Sequence, residues 1–205
     1  EAKVVTFGTA ADATVQINEA TLGATGCVTA TVRSPWGSAA ITMHVPGMHI
    51  AIDAAAALAV AGQLGCDLAA AAAHVSSFAA VQGRMQVHQL AGGSVLIDDS
   101  YNANPSSMEA ALRTLASLSV TNRVAILGAM AEISDTESEH ARIGELAASM
   151  GITVISLDDA PYPQQGVDVL TAVAAVRALG GDTAILVKGS RAARTERVVE
   201  ALLAT

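Results

Sequence analysis

Short runs of alternating apolar and polar side chains open the chain: Lys3 to Phe7, Ala13 to Ile17, Cys27 to Val32 and Ala39 to Val45. Turn formers such as Gly23, Gly26, Pro35, Gly37 and Ser38 separate them. Alternation broken by such turns predicts an antiparallel meander with one buried face. After Pro46-Gly47 the pattern becomes helical, with Ala-rich segments from His49 to Ala61 and Leu68 to Val75; Gly65 stops the first and Asp67 caps the second.

From Arg84 the pattern alternates strand and helix. Strands are expected at Met85 to Leu90, Ser94 to Asp98, Arg123 to Leu127, Thr153 to Leu157 and Thr183 to Val187. Several are continuous apolar runs, as parallel strands buried on both faces tend to be. Asn104-Pro105 supplies an N-cap and a first-turn proline ahead of Met108, Leu112 and Leu115. Thr136-Glu137-Ser138-Glu139 reads as a capping box, with Gly151 as the stop, and Val169 to Leu179 and Ala192 to Leu203 read as two more helices. The expected fold class is α/β: a Rossmann-like domain with a mostly parallel sheet over residues 83–205, preceded by a partial α+β unit over residues 1–82.

Composition narrows the partners. Of 205 residues, 52% are hydrophobic but only 2% aromatic, so the core is aliphatic and no stacking platform for single-stranded nucleic acid exists. A formal charge of -8 leaves no broad basic face for a nucleic-acid backbone or an anionic membrane. The richest apolar run, Ile50 to Ala61, is too short to span a bilayer and contains Asp53. Two cysteines, Cys27 and Cys66, make no disulfide framework and have no zinc-ligand spacing, which suits a reducing cytoplasm. No metal site is expected in these residues, and no signal peptide is read at the start.

In doubly wound sheets ligands sit beyond the carboxyl ends of the strands. Two loops there are chemically unusual. Asp98-Asp99-Ser100-Tyr101-Asn102-Ala103-Asn104-Pro105 packs carboxylates, a phenol and amides ahead of a helix, suiting ribose hydroxyls, an amide-bearing substrate or a hydrated cation, or simply a polar turn capped by Asn104. Leu186-Val187-Lys188-Gly189-Ser190-Arg191 combines a helix start with two cations and suits a carboxylate or phosphate, or a solvated strand end. Arg84, at the boundary between the two regions, is placed to reach a polyphosphate. His49 and His140 read as packing or surface histidines. No P-loop motif and no nucleophile elbow occur.

Four stretches together resemble the Mur ligase family: Gly83-Arg84-Met85-Gln86-Val87-His88, Ile97 to Met108, Leu127-Gly128-Ala129-Met130-Ala131-Glu132 with His140, and Leu186 to Arg191. The run Ser100-Tyr101-Asn102-Ala103-Asn104-Pro105 is similar to the branch that adds D-alanyl-D-alanine to UDP-N-acetylmuramoyl-tripeptide. The resemblance implies an ATP- and Mg2+-dependent, monomeric cytoplasmic ligase acting through an acyl phosphate. It also implies that residues 1–82 correspond to the end of a central ATPase domain and residues 83–205 to the C-terminal domain, with the P-loop and metal ligands upstream and the chain alone inactive. On that basis Arg84 is the catalytic contact to ATP phosphates, Asp53 and Asp99 are nucleotide-binding, and Asn102, Asn104, Lys188 and Ser190 serve the dipeptide side. Three positions depart from the family pattern: Ile50 and Asp53 replace asparagines of a Gly-x-His-Asn-x-x-Asn helix start, and Ala129 replaces an acidic residue. A carboxylate only accepts where an amide both donates and accepts. These departures keep open a non-catalytic ligase-like module; a sister ligase with another amino-acid substrate is a further alternative.

Overall fold

The computed structural model describes residues 4–204. The chain divides into two compact units, up to Ala79 and from Ala80 onward.

In the first unit, β1 (Phe7–Gly8), β2 (Val15–Leu22), β3 (Cys27–Ser34) and β4 (Gly37–Pro46) form one sheet in that order, followed by α1 (Met48–Gln63) and α2 (Leu68–Ser76). The strands β2, β3 and β4 are antiparallel as their alternation predicts, but β1 runs parallel to β2, so the meander has three strands. The expected strand from Lys3 is only Phe7–Gly8 within the described residues, whereas β2 continues to Leu22 through an irregularity between Asn18 and Thr21. Glu19 there has φ 51, and this kink hides the strand's second half from a period-two reading. Alternate residues Val28, Ala30 and Val32 of β3 and Ile41, Met43 and Val45 of β4 are buried. Ala51, Ala54, Ala55, Leu58 and Ala59 of α1 belong to the same core. Their small side chains allow close helix-on-sheet packing, and Gly62 admits the Trp36 ring: a Cβ there would lie 2.2 Å from Trp36 Cε3.

The second unit is α/β. β5 (Gln86–Gln89), β6 (Val95–Asp99), α3 (Pro105–Ser117), β7 (Asn122–Leu127), α4 (Thr136–Ser149), β8 (Thr153–Ser156), α5 (Val169–Arg177), β9 (Thr183–Lys188) and α6 (Glu196–Leu203) follow in sequence. The sheet order is β5-β6-β9-β7-β8; only β5 is antiparallel, so the sheet is mostly parallel. Every residue of the central β9 is buried, the reason this strand is a continuous apolar run ending in one lysine. Leu96, Val124, Ile126, Ile185 and Val187 pack with Val173 and Val176 of α5 and Val198, Val199 and Leu202 of α6.

Two helix starts differ from expectation. Asp135, not Thr136, caps α4, accepting from the Ser138 N–H at 3.2 Å. The segment from Ala192 is not one helix: a 3-10 turn (Arg191–Ala193) ends at Arg194 with φ 51, and α6 begins only at Glu196. The break turns Arg194 away from helical continuation, although its side-chain type favours helix.

Candidate functional site

Strand register builds the site. Asp99 of β6 and Leu127 of β7 both pair with Lys188, so three parallel strands end level on either side of β9. Glycines let the next residues meet. Gly128 donates its N–H to Lys188 O at 2.8 Å, and Cβ atoms at Gly128 or Gly189 would lie 2.6 Å from Thr195 Cγ2.

The Lys188 side chain is only 3% exposed; its Nζ donates to Asp99 Oδ2 at 2.5 Å and to Asn102 O at 2.9 Å. A desolvated ammonium without a partner would cost roughly several kcal/mol, which gives this pair a structural role. Asp99 Oδ1 also accepts from Met85 N–H at 3.2 Å. Buried Asp98 accepts from Ser100 N–H at 3.1 Å and from Ser100 Oγ at 2.5 Å. The Asp98–Asn104 loop is therefore tied to Met85, just ahead of β5, and to β9 through the Asp99 carboxylate and the Asn102 carbonyl, and is braced internally by the Asp98–Ser100 bonds.

The other expected residues divide by exposure. Asn102 presents an exposed side chain, its carbonyl being held by Lys188. Asn104 caps α3: its Oδ1 accepts from Ser107 N–H and from Ser106 Oγ, both at 2.9 Å, and Ser107 Oγ accepts from its N–H. Ser190 is buried; its N–H donates to Ala129 O at 2.9 Å, and its Oγ has no hydrogen-bond partner. Asp53 stands exposed on α1 in the first unit. Arg84 is exposed, with its Cζ 4.2 Å from the centroid of the Tyr101 ring, and Arg191 Cζ lies 5.8 Å from that centroid.

Beyond β8 and the Arg191–Ala193 turn lies a cleft of about 310 Å³, lined by Asp158, Asp159, Arg194 and Arg197 together with Ala129, Ala160, Ala192 and Ala193. Arg197 donates to Asp158 Oδ2 at 2.5 Å. Sequence reasoning missed these four charged residues because the acidic pair and the two arginines lie more than thirty positions apart along the chain; the signal present was the Asp158-Asp159 pair just after a strand. His140 is buried beside this region. Its Nε2 accepts from Met130 N–H at 2.8 Å and its Nδ1 donates to Thr136 O at 2.6 Å, fixing one neutral tautomer in a packing role. The Tyr162 ring meets the His140 ring edge-on at 4.9 Å, and burial pushes its phenol well above the ordinary value. Among the described residues no three His, Cys, Asp or Glu side chains come together to hold a metal ion, and no helix is long and apolar enough to cross a membrane.

Residues 83–202, which contain all of these residues but Asp53, match the family described as Mur ligase, glutamate ligase domain. The chain belongs to the Mur ligase family. One curated Mur ligase, the UDP-N-acetylmuramoyl-tripeptide--D-alanyl-D-alanine ligase of Escherichia coli K12, is 36% identical over 185 residues, covering 84% of this chain and 41% of the relative. In fold, the chain is similar to the crystal structure of MurF from Acinetobacter baumannii, with a TM-score of 0.85 at 24% identity over 96% of this chain and 46% of that one. It is also similar to MurF ligase from Thermotoga maritima in complex with ADP, with a TM-score of 0.72 at 21% identity, covering 91% of this chain and 45% of that one. The chain thus spans less than half the length of each of these Mur ligases. Arg84, Asp99, Asn102, Asn104, Lys188 and Ser190 lie inside the Mur ligase match, and Asp53 lies outside it.

Proposed function

We propose that this chain forms the amine-side part of an ATP-dependent ligase that joins D-alanyl-D-alanine to UDP-N-acetylmuramoyl-tripeptide during peptidoglycan-precursor synthesis in the cytoplasm. The reaction class comes from the likeness to the E. coli ligase. The observation that carries the placement is the cleft beyond β8 and β9, where Asp158 and Asp159 stand with Arg194 and Arg197 against alanine walls. A dipeptide zwitterion presents one ammonium, one carboxylate and two methyl groups, and each finds a counterpart there. Arg197 and Arg194 take the carboxylate. The Asp158-Asp159 pair holds the ammonium and one of its carboxylates takes a proton from it; the freed lone pair attacks the acyl carbon of an acyl phosphate, expelling inorganic phosphate as the second N–H proton is released. Binding of the small nucleophile in one orientation is most of what such a domain contributes to rate.

Lys188 and Ser190 act on the dipeptide side by shaping the turn that carries Ala192 and Ala193, because neither side chain reaches solvent. Asn102 and Asn104 form the neighbouring loop rim, with Asn104 also capping α3. Arg84 contacts ATP phosphates, and Asp99 presents its remaining lone pairs to the ribose.

Calorimetric titration of D-alanyl-D-alanine tests this reading, with L-alanyl-L-alanine as the control. Binding selective for the D,D form and weakened about tenfold by Arg197→Gln is expected, the loss that follows removal of one charge-assisted bond. Failure of D-alanyl-D-alanine to bind, or equal binding of both dipeptides, would sink the cleft assignment. A non-catalytic ligase-like module is the second reading, motivated by Ile50 and Asp53. It predicts dipeptide binding by a protein that never binds ATP.

A further inference from the structure

Tyr101 is an exposed aromatic side chain in a protein with almost none, and two guanidinium groups flank its ring. Their carbons are no more than about 10 Å apart, the sum of the two centroid distances. Neither Arg84 nor Arg191 has a carboxylate within 4 Å among the described residues, and neither gives its guanidinium to a carbonyl as Arg123 and Arg177, also without carboxylates, do to Leu118 O and Ala201 O. Acidic residues outnumber basic ones nineteen to eleven, so two neighbouring arginines are left without acids despite a surplus of them. Their mutual repulsion is weakened by water and salt, and an anion between or across them turns it into attraction. Stacking on a ring consumes none of the N–H donors of a guanidinium, so both keep their forks for oxyanion oxygens.

The backbone around this group is held on every side. Tyr101 N–H donates to Gly83 O at 3.0 Å, Arg84 N–H donates to Val81 O at 3.0 Å, and Met85 N–H reaches Asp99 Oδ1 at 3.2 Å. Gly83, with φ +72, sits so close that a Cβ would lie 3.2 Å from Tyr101 N. On the other flank Ser190 N–H donates to Ala129 O at 2.9 Å, and Ser190 O accepts from Ala193 N–H at 3.0 Å, fixing the base of Arg191. Two strand-end loops therefore deliver their arginines to one phenol.

We propose that Arg84 and Arg191 form a two-armed clamp for a polyphosphate, with Arg191 a direct phosphate contact and Tyr101 the positioning residue that keeps both arms extended. The clamp rests on the reading of Arg84 as the ATP-phosphate contact and adds a second contact and its support. Two separated guanidinium groups span adjacent phosphoryl groups, so the site prefers a chain of phosphates to a single one.

Calorimetry on the full chain tests this with inorganic triphosphate and orthophosphate as probes. Triphosphate is expected to bind at least about tenfold more tightly than orthophosphate, and Arg191→Gln to remove about tenfold of that affinity. Tyr101→Leu is expected to weaken binding about threefold with both arginines present, while Tyr101→Phe, which keeps the ring, retains it. Arg33→Gln, an exposed arginine of the first unit, should change nothing, which separates a clamp from general attraction of anions. Absence of triphosphate binding, or binding indifferent to Arg191→Gln, overturns the clamp, as does a Tyr101→Leu variant that binds like the parent. The dipeptide titration keeps the two readings apart: dipeptide bound without triphosphate removes the clamp alone, and triphosphate bound with these losses but no dipeptide leaves the clamp and removes the cleft assignment.

Discussion

The two units bury different things. In the first, the described core is aliphatic apart from the part-buried Trp36, and its charged residues, Asp53 among them, stay at the surface. In the second, Asp98, Ser100, His140, Ser156, Lys188, Ser190 and Thr195 are buried near the carboxyl ends of parallel strands. Burying a polar group is costly unless it is bonded, so stability alone gives no reason to concentrate so many at one sheet edge. The first unit thus keeps its charges outside an aliphatic core, and the second carries a buried polar rim at the carboxyl ends of its parallel strands.

The sharpest way to break this contrast is to remove the buried cation. Lys188→Met leaves Asp99 without its partner and frees Asn102 O, and is expected to cost about 3 kcal/mol of unfolding free energy, typical of a buried pair broken on one side. Adding Asp99→Asn should recover a large part of that loss, because no lone charge then remains. The counterpart in the first unit, Asp53→Asn, should stay within about 0.5 kcal/mol, as exposed substitutions do. Denaturant titrations of the four proteins check all three expectations. Equal costs for Lys188→Met and Asp53→Asn would erase the distinction drawn here.

Glycine substitutions give the next largest effect and sharpen the comparison through packing. Gly128→Ala puts its Cβ against Thr195 and Ala193, at 2.6 and 2.7 Å, where Thr195 is fully buried. About 2 kcal/mol of destabilisation is expected from such overpacking. Gly62→Ala meets the Trp36 ring at 2.2 Å, but that ring is only part-buried and can swing outward. Alanine also gains about 1 kcal/mol of helix propensity over glycine, so the net change at Gly62 should be the smaller. Thermal unfolding of both variants decides it.

What the sequence made legible follows the same division. Alternation located β3 and β4, and continuous apolar runs located β6, β7 and β9, because in both cases burial itself writes the period. The kink at Glu19 and the helix break at Arg194 were invisible, since a positive φ at a residue with a side chain leaves no mark on a hydropathy pattern. Asp99 and Lys188 were both legible as chemistry, yet their pairing across 89 positions needed the β6–β9 register. Asn104 was legible both as site and as cap, and its geometry makes the cap explicit. The Asp158–Arg197 pair and the meeting of Arg84 and Arg191 on Tyr101 belong to tertiary structure alone.

The smallest expected effect concerns a charge that is surface-exposed in the second unit and so behaves like those of the first. Asp168 caps α5, accepting from Thr171 N–H at 2.7 Å, and the hydrogen bonds from that helix start hold its carboxyl below the ordinary carboxylate value. A carboxyl whose folded value is lowered stabilises the protein above its unfolded value, and that contribution fades as pH falls through the folded value. Asp168→Asn keeps an acceptor at the cap and removes only the charge. Its unfolding midpoint should therefore lie slightly below that of the parent at pH 6 and converge with it only at pH values below the ordinary carboxylate range, where the parent's carboxyl is protonated. A difference that persisted undiminished at low pH would mean that geometry, not charge, is what the cap contributes. It would also make the exposed acids of the second unit unlike the simple surface charges of the first.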